Sequence, residues 1–149
     1  MTEAETKTLP PDWPKVGDEI DPQSFGPFDR AALARYAMVS GDDNPLHLDP
    51  VVAKAVGLEA PPVHGMLMLS CFEPAIMQWR RDLFVARLTG KFLRPVLAGE
   101  GIRISGRVVR RQDIPRPELV LRLIARGPND DLAILGEATV LLKNPAPMS

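Results

Sequence analysis

The most apolar part of the chain, Val63 to Trp79, limits what the whole chain can fold into. Residues 65–80 have the sequence GMLMLSCFEPAIMQWR, and apolar side chains on nearly all sides predict a buried helix that other elements must wrap. Glu73 and Pro74 interrupt the stretch, so it is not expected to span a membrane. Because proline removes a helical N–H and clashes with the preceding turn, we expect a kink or a break near Cys71–Glu73.

Four runs of strand-like sequence follow this helix. In the second run, Ile102 and Ile104 alternate with Arg103 and Ser105, as expected for a half-exposed antiparallel strand. Turn-forming Pro, Gly, Asn and Asp residues separate the later runs. Because helices come first and a strand meander second, the order predicts an α+β fold with an antiparallel sheet packed on the apolar helix. The predicted strands are Leu88–Val96, Gly101–Arg111, Glu118–Arg126 and Leu132–Leu142.

Two shorter helices are predicted ahead of the apolar one. Asp29 is a favourable N-cap for a helix that runs to about Val39. Asp49 followed by Pro50 predicts the start of a second helix, since proline is favoured at the first helical position. The two helices are therefore expected to flank a loop with the sequence SGDDNPLH.

Length and composition indicate one globular domain. The chain has 149 residues, of which 45% are hydrophobic and 25% charged. We expect a flexible N-terminal arm at residues 1–15, a single domain at residues 16–143 and a C-terminal tail at residues 144–149. A formal net charge of −1 argues against a nucleic-acid partner bound through phosphate contacts. One cysteine and no signal-peptide pattern favour a cytoplasmic protein.

The charge is unevenly distributed along the chain. Residues 1–50 carry a charge of −6, residues 51–100 carry +2 and residues 101–149 carry +3. Solvated strand faces would explain this pattern, and so would an anionic ligand held by arginines of the second half. The candidate cations for such a ligand, each otherwise a solubilising surface charge, are Arg80, Arg81, Arg87, Lys91 and Arg94.

The loop between the two short helices carries an acid and a base. Asp42 and His47 lie five residues apart with Pro45 between them, so the loop cannot continue the helix and can bring both side chains to one site. A carboxylate and an imidazole together can hold and polarise a water molecule. The alternative is structural, because Asp and Asn commonly form turns and caps. A metal site that also uses Asp49 and His64 is conceivable, although the spacing matches no compact zinc pattern.

The second junction of interest directly precedes the apolar helix and has the sequence PPVHGM. A helix N-terminus presents free N–H groups, and Gly65 lets a ligand approach the backbone closely. These features allow a carbonyl oxygen to be polarised, as in an oxyanion hole. The alternative is a tight turn into the helix that His64 caps.

Four segments of the chain together resemble the MaoC-type (R)-specific enoyl-CoA hydratases. Residues 36–53, YAMVSGDDNPLHLDPVVA, look like the long signature of that family. The sequence VHGM at 63–66, KFLRPVLAGE at 91–100 and GEATV at 136–140 are similar to its later segments. The segments occur in the family's order, and the resemblance covers roughly residues 16–143.

The resemblance implies a hotdog fold, in which a long central helix is wrapped by an antiparallel sheet. It implies a homodimer or higher oligomer that binds an acyl-CoA or acyl-carrier-protein thioester, with no cofactor, no metal, no membrane and no nucleic acid. By position, Asp42 and His47 would be the catalytic pair. Asn44 would bind substrate or hold the loop or a water, and the Gly65 N–H would contact the thioester oxygen. The implied reaction is reversible hydration of a trans-2-enoyl thioester to the (R)-3-hydroxyacyl thioester.

Several related functions remain open at this point. A hydroxyacyl-carrier-protein dehydratase would use the same residues and would be favoured by a basic surface at the mouth of the site. A hydratase of dicarboxylic or branched acyl groups would be favoured by an arginine in the acyl pocket. A non-catalytic subunit of a heterodimer would be favoured by loss of Asp42 or His47, yet both are present. A thioesterase on the same fold is less consistent with the sequence DNPLH.

Overall fold

The computed structural model describes residues 9–143, which form five strands and four α-helices around one core. The first strand precedes the helices, and the other four follow them without interruption by a helix. In chain order the elements are β1 (Glu19–Phe25), α1 (Arg30–Ser40), a 3-10 turn (Pro45–His47), α2 (Pro50–Ala55), α3 (Gly65–Ser70), α4 (Phe72–Trp79), β2 (Leu83–Phe92), β3 (Ile102–Gln112), β4 (Glu118–Arg126) and β5 (Leu132–Leu142).

The five strands form one sheet in the order β1-β3-β4-β5-β2, and every neighbouring pair is antiparallel. Leu121 on the central strand is opposite Val108 on one side and Ala138 on the other, and all three are buried. Alternate residues of β4 therefore face the core, as the period of two requires. The predicted α+β class with an antiparallel sheet is confirmed.

The apolar stretch forms two helices rather than one. α3 ends at Ser70 and α4 begins at Phe72, so the predicted break near Cys71 is confirmed. Phe72 is fully buried, and a Cβ built on Gly136 of β5 would lie only 2.7 Å from its ring. The expectation of burial on nearly all sides is wrong for this chain alone, because Met66 and the polar side of α4 are exposed.

The other predicted elements differ in how well their limits were located. β4 and β5 have the predicted limits, whereas β2 begins five residues earlier than its predicted run. Both predicted N-caps are confirmed, since Asp29 accepts from the Ala32 N–H and Asp49 from the Val51 N–H. β1 was not predicted. Its sequence, EIDPQSF, contains a proline and an irregularity in pairing, so the alternating pattern is lost.

The part of the proposed N-terminal arm that the structure describes packs on the domain. Trp13 is 4% exposed and belongs to the core, and the Arg80 guanidinium lies 5.6 Å from its ring centroid. Arg80 also pairs with Asp12 at 3.1 Å and with Asp82 at 2.7 Å. Residues 9–15 thus differ from the expected flexible arm. Residues 1–8 and the tail at 144–149 lie outside the described residues.

No helix within residues 9–143 combines the length and apolar character needed to cross a bilayer.

Candidate active site

The loop that carries Asp42 begins with a sharp end to α1. Gly41 has φ of 80° and ψ of 0°, a left-handed conformation that glycine adopts without steric cost, and its N–H donates to the Ala37 carbonyl. The Ser40 hydroxyl donates to the Tyr36 carbonyl at 2.6 Å and accepts from the Asp42 N–H at 3.1 Å. These bonds direct the chain away from the helix axis and leave the Asp42 side chain exposed.

The 3-10 turn that follows positions His47. The Asn44 side-chain oxygen accepts from the Leu46 N–H at 3.0 Å and caps the turn, so this side chain stabilises the loop. Nδ1 of His47 lies 2.8 Å from the Pro62 carbonyl oxygen. Because a carbonyl can only accept, Nδ1 carries the hydrogen, and Nε2 of the neutral ring is left as an acceptor. His47 is half-buried, so Nε2 remains available to a ligand or a water.

His64 is the third member of the site, and the sequence did not reveal its role. Its side chain is 1% exposed, and Nε2 donates to the Asp42 main-chain carbonyl at 3.1 Å. Its ring stacks on His47 with centroids 4.0 Å apart and an angle of 22°, and the Tyr36 ring lies 4.6 Å away. His64 occupies the N-cap position of α3, as the alternative interpretation expected, but its side chain makes no capping bond. Spacing alone contained no signal that this histidine is buried.

Burial lowers the pKa of His64 below its ordinary value of 6.5. The hydrogen bond to the Asp42 carbonyl opposes this shift and is the smaller effect, while the neighbouring His47 adds to the lowering. The ring is therefore uncharged at neutral pH. Among the residues that the structure describes, its Nδ1 has no hydrogen-bond partner.

Asp42, His47 and His64 bring one carboxylate oxygen and two ring nitrogens within 4.8 Å of one another. This set could supply three metal ligands, but the two rings are nearly parallel, so one ion cannot lie in both ring planes. Asp49 takes no part, since its carboxylate caps α2. As it stands, the arrangement is better suited to holding a water molecule and moving a proton.

Gly65 directly follows His64 and is the first residue of α3, so its N–H has no partner inside the helix. A Cβ built on Gly65 would lie 2.9 Å from Cε1 of Phe92 on β2, which is closer than real side chains approach. A side chain at this position would therefore collide with the Phe92 ring, so the close approach of α3 to β2 requires glycine. Asp42 and His47 therefore lie on one chain segment and Gly65 on a second. The bonds from His47 to Pro62 and from His64 to Asp42 hold the two segments together.

Two of the candidate cations for an anionic ligand pair with acidic side chains. Arg80 is engaged by Asp12 and Asp82. Arg94 lies 3.7 Å from Asp131 on the exposed surface.

Comparisons with known proteins agree with this geometry. A family model described as a MaoC like domain matches residues 13–123. The chain is 35% identical over 119 residues to an (R)-specific enoyl-CoA hydratase of Aeromonas caviae, covering 77% of this chain and 87% of that protein. It is 31% identical over 132 residues to a mitochondrial 3-hydroxyacyl-[acyl-carrier-protein] dehydratase of Arabidopsis thaliana, covering 87% and 78% respectively.

A solved structure is similar over nearly its full length. The (R)-hydratase from A. caviae involved in PHA biosynthesis superimposes with a TM-score of 0.78 at 32% identity, covering 86% of this chain and 96% of that one. The expected hotdog fold is thereby confirmed. With a matching family model, a similar sequence and a similar structure, the chain belongs to the MaoC-like family.

Proposed function

We propose that this chain catalyses the reversible hydration of trans-2-enoyl-CoA thioesters to (R)-3-hydroxyacyl-CoA, which makes it a hydro-lyase. The observation that carries the proposal is the convergence of the Asp42 carboxylate and the His47 imidazole within 4.8 Å, next to a helix that begins at Gly65. The similarity to the A. caviae (R)-specific enoyl-CoA hydratase supports both the reaction and the hand of the product.

His47 acts as the base in the hydration direction. Its Nδ1–H is held by the Pro62 carbonyl, so Nε2 is the nitrogen that accepts a proton from the attacking water. The Asp42 carboxylate orients that water and stabilises the imidazolium as it forms. The water oxygen forms a bond to C3, and the π electrons of the C2–C3 double bond move towards the thioester carbonyl.

Gly65 stabilises the charge that this step creates. Its backbone N–H donates to the thioester oxygen as that oxygen acquires enolate character. The proton held by the Asp42–His47 pair then passes to C2, which restores the pair and completes the addition of water. Asn44 supports the reaction by holding the loop, and a direct contact of its side chain with substrate remains part of the proposal.

Hydration of crotonyl-CoA tests the proposal. Turnover should remove the conjugated thioester absorbance, and a coupled (R)-specific 3-hydroxyacyl-CoA dehydrogenase should oxidise the product. Oxidation by an (S)-specific dehydrogenase instead would contradict the assigned hand. Folded protein that turns over neither CoA nor carrier-protein thioesters of any chain length would contradict the activity itself.

A second candidate function is dehydration of a (3R)-hydroxyacyl group carried by acyl-carrier protein. The 31% identity to the plant mitochondrial dehydratase favours it, and the site chemistry is the same. The two candidates differ in the carrier, so kcat/KM for crotonyl-CoA and for the crotonyl-carrier protein should be compared. A ratio above about 100 in either direction, or about 3 kcal/mol in transition-state binding, assigns the carrier.

The same proposal includes a homodimer in the cytoplasm. β2 lies at an edge of the sheet, and such edges attract further strands unless they are covered. Phe84 and Phe92 on β2 are both exposed, as is Leu93 directly after it. A second copy added along β2 would cover these side chains and the unpaired edge.

A further inference from the structure

We propose that His64 is a positioning residue for the Asp42–His47 pair, holding Asp42 through its main-chain carbonyl and His47 through ring stacking. The inference rests on the proposed function, because it assigns His64 a task in that reaction. His64 is not proposed to touch the substrate.

Histidine is an unfavourable residue at this buried position. Among the described residues it is the one polar side chain in the buried class, and its Nδ1 has no partner there. A buried polar atom without a partner is unfavourable, so an apolar residue of similar size would fit the core more easily. What histidine supplies and an apolar residue cannot is the Nε2–H bond to Asp42.

The bond from His64 to the Asp42 carbonyl joins two segments that are far apart in sequence. The Asp42 carbonyl and His64 are 22 residues apart, and the His47 ring is tied to Pro62 of the same second segment. The two bonds therefore fix both members of the pair on one short stretch ahead of α3. Stacking at 4.0 Å then sets the plane of the His47 ring.

The charge state of His64 also suits a positioning role. The groups that face the His64 ring are Asp42, His47 and Tyr36. Burial lowers the pKa of His64 and keeps the ring neutral. A neutral ring can stack on His47 when His47 becomes cationic during the reaction, whereas a second cation would repel it.

Two substitutions separate the two contacts. His64→Phe keeps a ring for stacking and loses the donor, while His64→Gln keeps a donor near the Nε2 position and loses the ring. For crotonyl-CoA, His64→Phe should lower kcat about 10- to 100-fold with KM changed less than about threefold, since a displacement of about 1 Å has effects of this size. His64→Gln should retain more activity than His64→Phe, because Asp42 is still held.

Nitrogen NMR of the imidazole rings distinguishes a positioning role of His64 from a purely structural role. The chain contains only two histidines, so each variant leaves a single ring, His47, to assign. In the wild type, His64 should be the Nε2–H tautomer and His47 the Nδ1–H tautomer. His64→Gln should lower the fraction of His47 in the Nδ1–H tautomer, because the stacked ring that sets its plane is removed, whereas His64→Phe should retain that tautomer.

The outcomes are distinct. Wild-type kcat in His64→Phe, or a wild-type His64 that is Nδ1–H or charged at neutral pH, would overturn the hydrogen-bond role. A wild-type population of the His47 Nδ1–H tautomer in His64→Gln would overturn the stacking role. If His64→Phe does not fold, the wild-type tautomers and the His64→Gln variant still decide. If the wild type does not hydrate thioesters, the proposed function fails, while the NMR result still tests the positioning.

Discussion

At the scale of single residues, the site depends on main-chain carbonyls that fix the orientation of its histidines. The Pro62 carbonyl selects the Nδ1–H form of His47, and the Asp42 carbonyl selects the Nε2–H form of His64. The pairing of Asp42 with His47 could be expected from the sequence because the loop DDNPLH carries both. His64 could not, since its burial results from the packing of two segments that no local pattern relates.

The lowered pKa of His64 makes a prediction about stability. The unfolded chain binds a proton at His64 near the ordinary value of 6.5, whereas the folded chain binds it only at lower pH. The contribution of neutral His64 to the free energy of unfolding is therefore fully present above pH 6.5. It is lost as the pH falls towards the pKa of His64 in the folded chain, by up to about 1.4 kcal/mol per pH unit. Urea unfolding of the wild type and of His64→Gln across this window should show a weaker pH dependence in the variant. Parallel plots of the free energy of unfolding against pH for the two proteins would contradict the lowered pKa of His64.

At the scale of elements, the strands and caps were largely predictable and the contacts between elements were not. Alternation located Glu118–Arg126 and Leu132–Leu142 because both strands have one buried and one less buried face. β1 lacks that alternation, and it is a strand because it pairs with β3. The close approach of α3 to β2 at Gly65 and Phe92 is likewise a property of packing, so the sequence gives no sign of it.

Gly65→Ala tests that approach. The new Cβ would lie 2.9 Å from the Phe92 ring, so the ring or the start of α3 must move. We expect kcat/KM for crotonyl-CoA to fall about 10- to 100-fold, the effect of a small misplacement. Phe92→Ala in the same chain should recover most of the loss if the cause is steric. Full activity of Gly65→Ala would argue against the N–H of this residue as the oxyanion donor.

Trp13→Ala tests whether residues 9–15 belong to the folded body. Trp13 is buried in the core, so its truncation should lower the free energy of unfolding by about 3 kcal/mol or more. Val16→Ala is the matched control, since Val16 is exposed and should change stability by less than about 0.5 kcal/mol. Chemical denaturation followed by circular dichroism measures both. Equal stability of the two variants would show that the segment is not anchored by Trp13.

At the scale of the whole molecule, the described chain leaves an apolar sheet edge exposed. The order β1-β3-β4-β5-β2 places β2 at the edge, where Phe84 is 55% exposed. α3 and α4 also bury only one face in the single chain, although the apolar sequence predicted burial on nearly all sides. A second subunit would account for both features. The apolar sequence predicted that other elements would cover the helices, but it could not show which surface a second subunit would cover.

Phe84→Lys should therefore weaken self-association. The wild type is expected to sediment at twice the 16.4 kDa mass of the chain, and the variant should shift towards the mass of one chain. Ile114→Lys is the control, because Ile114 is 76% exposed and lies in the connection between β3 and β4 rather than on β2. A wild type that sediments as one chain, or equal association of both variants, would contradict the proposed dimer.

We propose that Asp42 and His47 together add water to an enoyl thioester, and the variant Asp42→Asn is the most direct test of this mechanism. Asparagine keeps the shape of the side chain and loses its charge, so the fold should persist while the initial rate of crotonyl-CoA hydration falls at least about 1,000-fold. His47→Ala should cause a loss of similar size. If Asp42→Asn keeps its circular dichroism spectrum and hydrates crotonyl-CoA within about threefold of the wild-type rate, the assigned mechanism is wrong.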